Sequence, residues 1–286
     1  MAKISSQFIE VEGLRLHCLV AGEALGDPVL LLHGWPTNAQ LWRHVLAQLG
    51  EHRRVIALDL PGYGLSDKPT DVRYSFRFFQ KIIDGTLDAL QIDELSLGVH
   101  DAGGPIGMYW AAHNQPRVRS LALLNTLVFP EMSWAVKAFF LALRTPGLSR
   151  FMTSPRGIAT AIRLGVVNRD KIDTEVAALY QAPYRDRESR AALLHAAKGL
   201  SLRGFHTIAK AIPELKIPVR IIYGEIDRAL PDVAKTMARV QTLVPHAELT
   251  SLPNIGHFLQ EDAPEEVAAL VTEFFARSET RVRQSA

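Results

Sequence analysis

The stretch Leu95-Ser96-Leu97-Gly98-Val99-His100-Asp101-Ala102-Gly103-Gly104-Pro105-Ile106-Gly107 decides the fold. An apolar run ends in one polar residue and passes straight into a glycine-rich helix start. That is the strand–turn–helix context of a nucleophile elbow, where a sharp turn exposes the reacting side chain at the end of a sheet strand. The residue at the tip is Asp101, a carboxylate rather than a serine. A serine must give a proton to a base before it attacks. A carboxylate with an ordinary pKa of about 3.9 is already ionised at pH 7. Its attack on an ester carbonyl would form a mixed anhydride, which is uphill. Its attack on a saturated carbon bearing a leaving group forms an ordinary alkyl ester. Hydrolysing that ester then takes a histidine base and an oxyanion hole.

The remaining pieces follow in the chain. His257 lies in Leu252-Pro-Asn-Ile-Gly-His257-Phe-Leu-Gln-Glu, between the last expected strand and the last helix. Asp227 lies in Ile221-Ile-Tyr-Gly-Glu-Ile-Asp227, just past an apolar strand, and is the candidate that orients His257. The chain order nucleophile, acid, histidine is that of the α/β-hydrolase arrangement. Leu30-Leu-Leu-His-Gly-Trp35-Pro36 follows an early apolar strand, so the backbone N–H groups of Trp35 and Ala102 are the expected oxyanion-hole donors. His33 reads as a structural hydrogen-bonder under this loop. Strand alternation points His100 away from the site.

Short apolar runs at 28–32, 54–59, 95–100, 119–124, 218–223 and 246–251 are rich in Val, Leu and Ile, as in parallel strands covered on both faces. An opening hairpin is expected over residues 7–20, turning at Glu12-Gly13. Helical patterns cover 41–49, 76–91, 104–114, 232–241 and 264–277. The alternation predicts an α/β fold with a mostly parallel, doubly wound sheet. Trp35, Asp101 and Asp227 all fall after strands, at the carboxyl edge where such sheets bind ligands. About ninety residues between 124 and 218 show no strand, only helical patterns near 132–144, 156–165, 173–181 and 187–210. We therefore expect a core formed by 1–128 and 215–286 with a helical cap over 129–214. The first part of that cap is apolar, and Met132, Trp134, Phe139, Phe140, Leu143, Phe151 and Met152 are candidates to line the pocket or to glue the cap down.

A chain of 286 residues, 48% of them hydrophobic, can build one large core with an insertion. Net charge is only +2, with Lys and Arg scattered, so no nucleic-acid stripe is expected. No run of 18 apolar residues predicts a membrane span, and no membrane partner is expected. The N-terminus lacks a signal-peptide core, and the lone Cys18 fits a reducing compartment, so the expected location is cytoplasmic. The polar end, residues 277–286, is expected to fray. Ten histidines show no ligand spacing, so no metal and no cofactor is expected. The expected partners are a small apolar organic substrate and water, in a monomer or small homo-oligomer.

On these motifs the chain resembles α/β-hydrolases with an aspartate nucleophile, the group of haloalkane dehalogenases and epoxide hydrolases. His33-Gly-Trp-Pro-Thr-Asn-Ala-Gln-Leu-Trp-Arg43, Val99-His-Asp101 and the segment Tyr180-Gln-Ala-Pro-Tyr184 are similar to dehalogenase stretches, while Asp59-Leu-Pro-Gly-Tyr-Gly-Leu-Ser-Asp-Lys-Pro69 is shared more widely. Asn125, after the strand at 119–124, agrees with the branch that keeps its acid at Asp227. The resemblance implies an α/β-hydrolase fold and hydrolysis of a carbon–halogen bond through an ester on Asp101. It also marks a departure. Relatives carry Trp directly after the nucleophile, where its indole N–H holds the departing halide; here that residue is Ala102. A lost hydrogen bond to a charged acceptor is worth about 1.5–3 kcal/mol. The indole of Trp35, or cap Trp134, is the expected replacement. For epoxide opening the resemblance implies two cap tyrosines, and the cap offers only Tyr180 and Tyr184, both in one segment. A ligand-binding protein without turnover is the alternative of another class.

Overall fold

The computed structural model describes residues 1–23 and 27–285, with side chains through Arg277. Eight strands form one sheet: β1 Ile4–Val11, β2 Leu14–Ala21, β3 Val29–Leu32, β4 Val55–Leu58, β5 Leu95–Asp101, β6 Val118–Thr126, β7 Val219–Gly224 and β8 Glu248–Leu252. Their order is β1-β2-β4-β3-β5-β6-β7-β8. β1 and β2 form the expected hairpin, with Glu12 and Gly13 both at positive φ (52° and 75°), the backbone that a two-residue turn between twisted strands requires. β1–β2 and β2–β4 run antiparallel, and the remaining pairs are parallel. β3, β4 and β5 are buried almost throughout, which explains their lack of polar alternation.

The helices are α1 Arg43–Leu49, α2 Phe76–Ala89, α3 Gly103–His113, α4 Trp134–Arg144, α5 Pro146–Met152, α6 Pro155–Gly165, α7 Thr174–Gln181, α8 Arg187–Lys198, α9 Leu202–Ala211, α10 Val233–Leu243, α11 Leu259–Asp262 and α12 Pro264–Ser285. Six of them, α4 to α9, fall between β6 and β7, and several starts are written in the sequence as capping side chains. Ser133, Ser154, Asp173 and Asp186 each accept a backbone N–H from the first turn of the following helix.

Two boundaries differ from the sequence reading. The expected helix over 187–210 is two, α8 and α9: α8 ends at Gly199, which lies against the Tyr74 carbonyl where no side chain fits, and α9 restarts after Ser201. The short α5 and α11 carry too few turns to show a period. α12 runs on to Ser285, so the backbone of the end expected to fray is helical through that residue, while its side chains beyond Arg277 lie outside the described residues. Among the described residues no helix is long and apolar enough to cross a membrane.

The strand order reverses between β3 and β5. Crossovers leave these neighbours in opposite directions, so their carboxyl ends open a crevice. His33-Gly34-Trp35 follows β3, and Asp101 ends β5.

Candidate active site

Asp101 stands at φ 46°, in the left-handed region that a residue with a side chain rarely adopts. The surroundings force it there. A β-carbon on Gly103 would collide with the carbonyl oxygens of Leu32 and His33, and one on Gly104 with the Thr126 side chain, so α3 can start this close to the sheet only on glycines. The Thr126 hydroxyl donates to the Asp101 carbonyl at 2.7 Å and pins the turn from β6. Gly34 faces the Asp101 carboxylate so closely that a side chain there would occupy its place.

The carboxylate is held by backbone. The Trp35 N–H donates to Asp101 Oδ2 at 2.8 Å. The Ala102 amide adds a second interaction that favours the ionised form. Burial pushes the Asp101 carboxyl above its ordinary range, a shift that His257 and the two amides only partly offset. Its side chain keeps 14% exposure, toward the cavity described below.

His257 follows Gly256, ahead of α11. Its N–H donates to the Gly165 carbonyl at 2.6 Å, and its carbonyl receives the His100 Nε2–H at 2.9 Å. Burial and the neighbouring His257 ring push the His100 imidazole down to about 3, so it is neutral and acts on the backbone of the loop, as strand alternation implied. His257 Nδ1 sits 2.8 Å from Asp227 Oδ2. Because a carboxylate only accepts, Nδ1 carries the proton and Nε2 is left bare toward Asp101. Nε2 lies 3.7 Å from Asp101 Oδ1, beyond a direct hydrogen bond.

Asp227 is fully buried and fully occupied. Oδ1 accepts from Ala229 N at 2.8 Å and Leu230 N at 2.7 Å, and Oδ2 accepts from Asn125 Nδ2 at 2.7 Å besides His257. Burial alone would raise its carboxyl. The charge and hydrogen bond of His257, with those donors, outweigh it and hold Asp227 below the usual carboxylate range. For His257, burial disfavours the imidazolium, yet Asp227 and Asp101 together win and raise it above its ordinary value. His33 is held below its ordinary value by burial, accepts from Leu60 N at Nε2, and so presents Nδ1–H to the Gly34 carbonyl at 3.0 Å. It supports the loop that carries Trp35.

Asp101, His257, Trp35 and Ala102 open on one cavity of about 460 Å³. Its other walls are almost wholly apolar: Pro105, Ile106 and Leu127 from the core side, Val136, Phe139, Phe140 and Leu164 from α4 and α6, Phe205 from α9 and Leu230 past β7. The polar members are few, Tyr63 and Arg228 besides the pair itself. Arg228 Nη1 is engaged with the carbonyls of Leu164 and Val166, which ties the loop after β7 to the end of α6. The Trp35 indole stacks edge-on against Phe139 at 4.8 Å, and its Nε1 is buried without a hydrogen-bond partner.

The cavity corrects three sequence expectations. Trp134 is 76% exposed and faces away from it. Tyr180 is buried elsewhere, donating to Glu261, which also receives Arg43. Tyr184 is buried too, its hydroxyl accepting from Gly64 N at 3.3 Å. None of the three lines the cavity. Within 132–152, Phe139 and Phe140 do, Leu143 is buried, and Phe151 is exposed. Sequence reasoning missed Tyr63, Arg228 and Glu261. Tyr63 sits inside the widely shared Asp59–Pro69 loop. Arg228 directly follows Asp227, a neighbour that could have been marked. Glu261 lies in the short α11, just ahead of α12, and nothing in its sequence neighbourhood marks it.

The comparisons agree with this geometry. A family model described as alpha/beta hydrolase fold matches residues 27–264. A protein named haloalkane dehalogenase 2 from Mycobacterium tuberculosis is 31% identical, over 88% of this chain and 89% of its own length. A cis-3-alkyl-4-alkyloxetan-2-one decarboxylase from Shewanella oneidensis is 28% identical, over 97% of this chain and 90% of its own. The crystal structure of the haloalkane dehalogenase DbeA from Bradyrhizobium elkani superposes with a TM-score of 0.87 at 26% identity, covering 98% of this chain and 100% of that one. Fold and site together define a hydrolase-fold enzyme. The chain belongs to the alpha/beta hydrolase fold family, in its haloalkane dehalogenase-like group.

Proposed function

We propose that this enzyme hydrolyses a carbon–halogen bond of a small apolar organic substrate through a covalent ester on Asp101. The observation that carries the reading is the carboxylate at the elbow, clamped at Oδ2 by the Trp35 amide and set in the wall of an apolar cavity. Oδ1 attacks the saturated carbon and halide leaves. A water placed between Oδ1 and His257 Nε2, 3.7 Å apart, is within reach of both. His257 takes its proton, Asp227 stabilises the imidazolium, and the oxygen attacks the ester carbonyl while the Trp35 and Ala102 amides hold the developing oxyanion. Alcohol leaves and Asp101 is restored. No cofactor or metal enters the scheme.

Ala102 offers the halide no side-chain donor, whereas the Trp35 indole N–H is buried, unpartnered and part of the cavity wall. We assign it the halide. That missing donor at 102 also favours one second reading. The oxetan-2-one ring named for the Shewanella relative presents a saturated carbon whose leaving group is a carboxylate, and Arg228 places a cation in the same cavity. The epoxide reading loses support, since neither Tyr180 nor Tyr184 reaches the site. The helices of 129–214 act as the cap, the core being 1–128 and 215–286. A cytoplasmic location fits the single Cys18, whose thiol burial pushes up to about 11 and keeps protonated. Asp59, a further buried anion nearby, adds to that shift.

A panel of haloalkanes and oxetan-2-ones, scored for free halide and for carbon dioxide, separates the two readings. In His257→Phe the intermediate should accumulate as a substrate-sized mass increase on Asp101. Absence of any adduct with a substrate that the wild type turns over rejects the scheme.

A further inference from the structure

Residues 132–169 hold six cations, Lys137, Arg144, Arg150, Arg156, Arg163 and Arg169, and no Asp or Glu. All six are exposed, and none forms an ion pair among the described residues. Large apolar side chains stand bare among them. Trp134 is 76% exposed, Leu141 67%, Leu148 51%, Phe151 50% and Leu164 47%.

The arrangement on α4 is ordered. Trp134, Lys137, Leu141 and Arg144 fall at spacings of three, four and three residues, which at 3.6 residues per turn puts them on one side of the helix. The opposite side carries Val136, Phe139 and Phe140, which line the catalytic cavity, and the buried Leu143. One helix thus carries large apolar side chains on both faces, mixed with cations on the outer one, and the inner face is the one that lines the cavity. Leu164 belongs to both worlds, since it lines the cavity and is half exposed, so the bare apolar surface runs into the cavity mouth.

An exposed tryptophan beside aliphatic side chains and unpaired cations is the composition of a segment that lies in a membrane interface. We propose that the outer face of α4 and α5 docks on an anionic lipid surface, with the cavity mouth turned toward it, so that apolar substrate enters from the lipid phase. Charge complementarity selects this occupant: α4 and α5 carry Lys137, Arg144 and Arg150 and no anion, which matches a sheet of anionic headgroups, and each cation near such a surface is worth about a fivefold gain in partitioning. This revises the expectation of no membrane partner. The attachment is peripheral.

Trp134 makes the proposal easy to test, because Trp42 and Trp110 are fully buried and Trp35 is part of the cavity wall. The full chain is mixed with vesicles of phosphatidylglycerol or of phosphatidylcholine. At low salt it should sediment with the anionic vesicles only. Its emission should shift to the blue and be quenched by brominated acyl chains, and salt should reverse both effects. Lys137→Glu with Arg144→Glu should weaken partitioning at least about 25-fold, with an unchanged circular dichroism spectrum. Trp134→Phe should still sediment but lose the spectral shift. No sedimentation with phosphatidylglycerol, or equal sedimentation of the charge-reversed variant, overturns the proposal. So does a blue shift that needs no vesicles and tracks formation of a dimer, which would make the occupant a second copy of the chain. No turnover is measured, so the result stands apart from the catalytic reading.

Discussion

The carboxyl edge of the sheet and helix α4 face each other across one cavity, yet they are held in opposite ways. At the edge every reacting group is fixed by several independent constraints. Asp101 is pinned by an amide, a threonine hydroxyl and glycines that admit no side chain; Asp227 accepts four hydrogen bonds. α4 rests on two buried side chains, Val136 and Leu143, and leaves one face bare. Chemistry that needs atoms placed within fractions of an ångström sits on the first kind of structure. The second kind is free to determine what reaches the chemistry.

Substitutions should divide along this line. Asp101→Ala removes the attacking oxygen and should lower turnover by on the order of 10⁴-fold or more in a steady-state assay, as loss of a nucleophile does elsewhere; a smaller loss would mean that water attacks directly. Trp35→Phe keeps the oxyanion amide and deletes only the indole N–H. If that group holds the halide, the rate of halide release should fall roughly ten- to a hundredfold, and Ala102→Trp should recover a similar factor. An unchanged rate in Trp35→Phe would take the halide away from this indole.

A milder effect is expected from pH. Asp227 and Asp101 raise His257 despite burial, so its titration, followed by NMR of the ring, should have its midpoint above 6.5. In Asp101→Ala one of the two anions is gone and the midpoint should move down. The sign for stability follows: the contribution of the raised His257 is fully present below about 6.5 and is lost as pH rises through the folded-state value. A midpoint that does not move in Asp101→Ala would show that the two groups are not coupled. The smallest effect belongs to the outer face of α4. Trp134→Ala should leave turnover of a soluble substrate within about twofold, since a surface substitution costs at most about 0.5 kcal/mol. A large loss would place Trp134 in the site after all.

The same division explains what could be read from the sequence. The elbow, the loop at Trp35, Asp227 and His257 were legible because the positions that fix them are chemical necessities: glycines where backbone passes too close for a β-carbon, and polar residues at the ends of apolar strands. Asn125 was legible in place; its hydrogen bonds to Asp227 and from Gly224 N needed β6 and β7 brought together. The segment between β6 and β7 was legible as helices and not as orientations. Trp134, Phe139 and Phe140 have the same apolar character in sequence, and Trp134 and Leu141 share the side of α4 that carries Lys137 and Arg144, so apolar character alone does not say which residues point inward. Tyr180 looked like a pocket residue because its segment matches a family pattern. Its partner Glu261, 81 positions away, takes the hydroxyl and turns it from the cavity.

In the proposed cycle the enzyme's own carboxylate forms the bond to substrate carbon. A single turnover in heavy-oxygen water, with enzyme in excess over substrate, tests this directly by mass spectrometry of the peptide that contains Asp101. Attack at the ester carbonyl predicts that the heavy atom appears in the Asp101 side chain and that the first alcohol released carries ordinary oxygen. Label found in the alcohol alone, with Asp101 unlabelled, would contradict it.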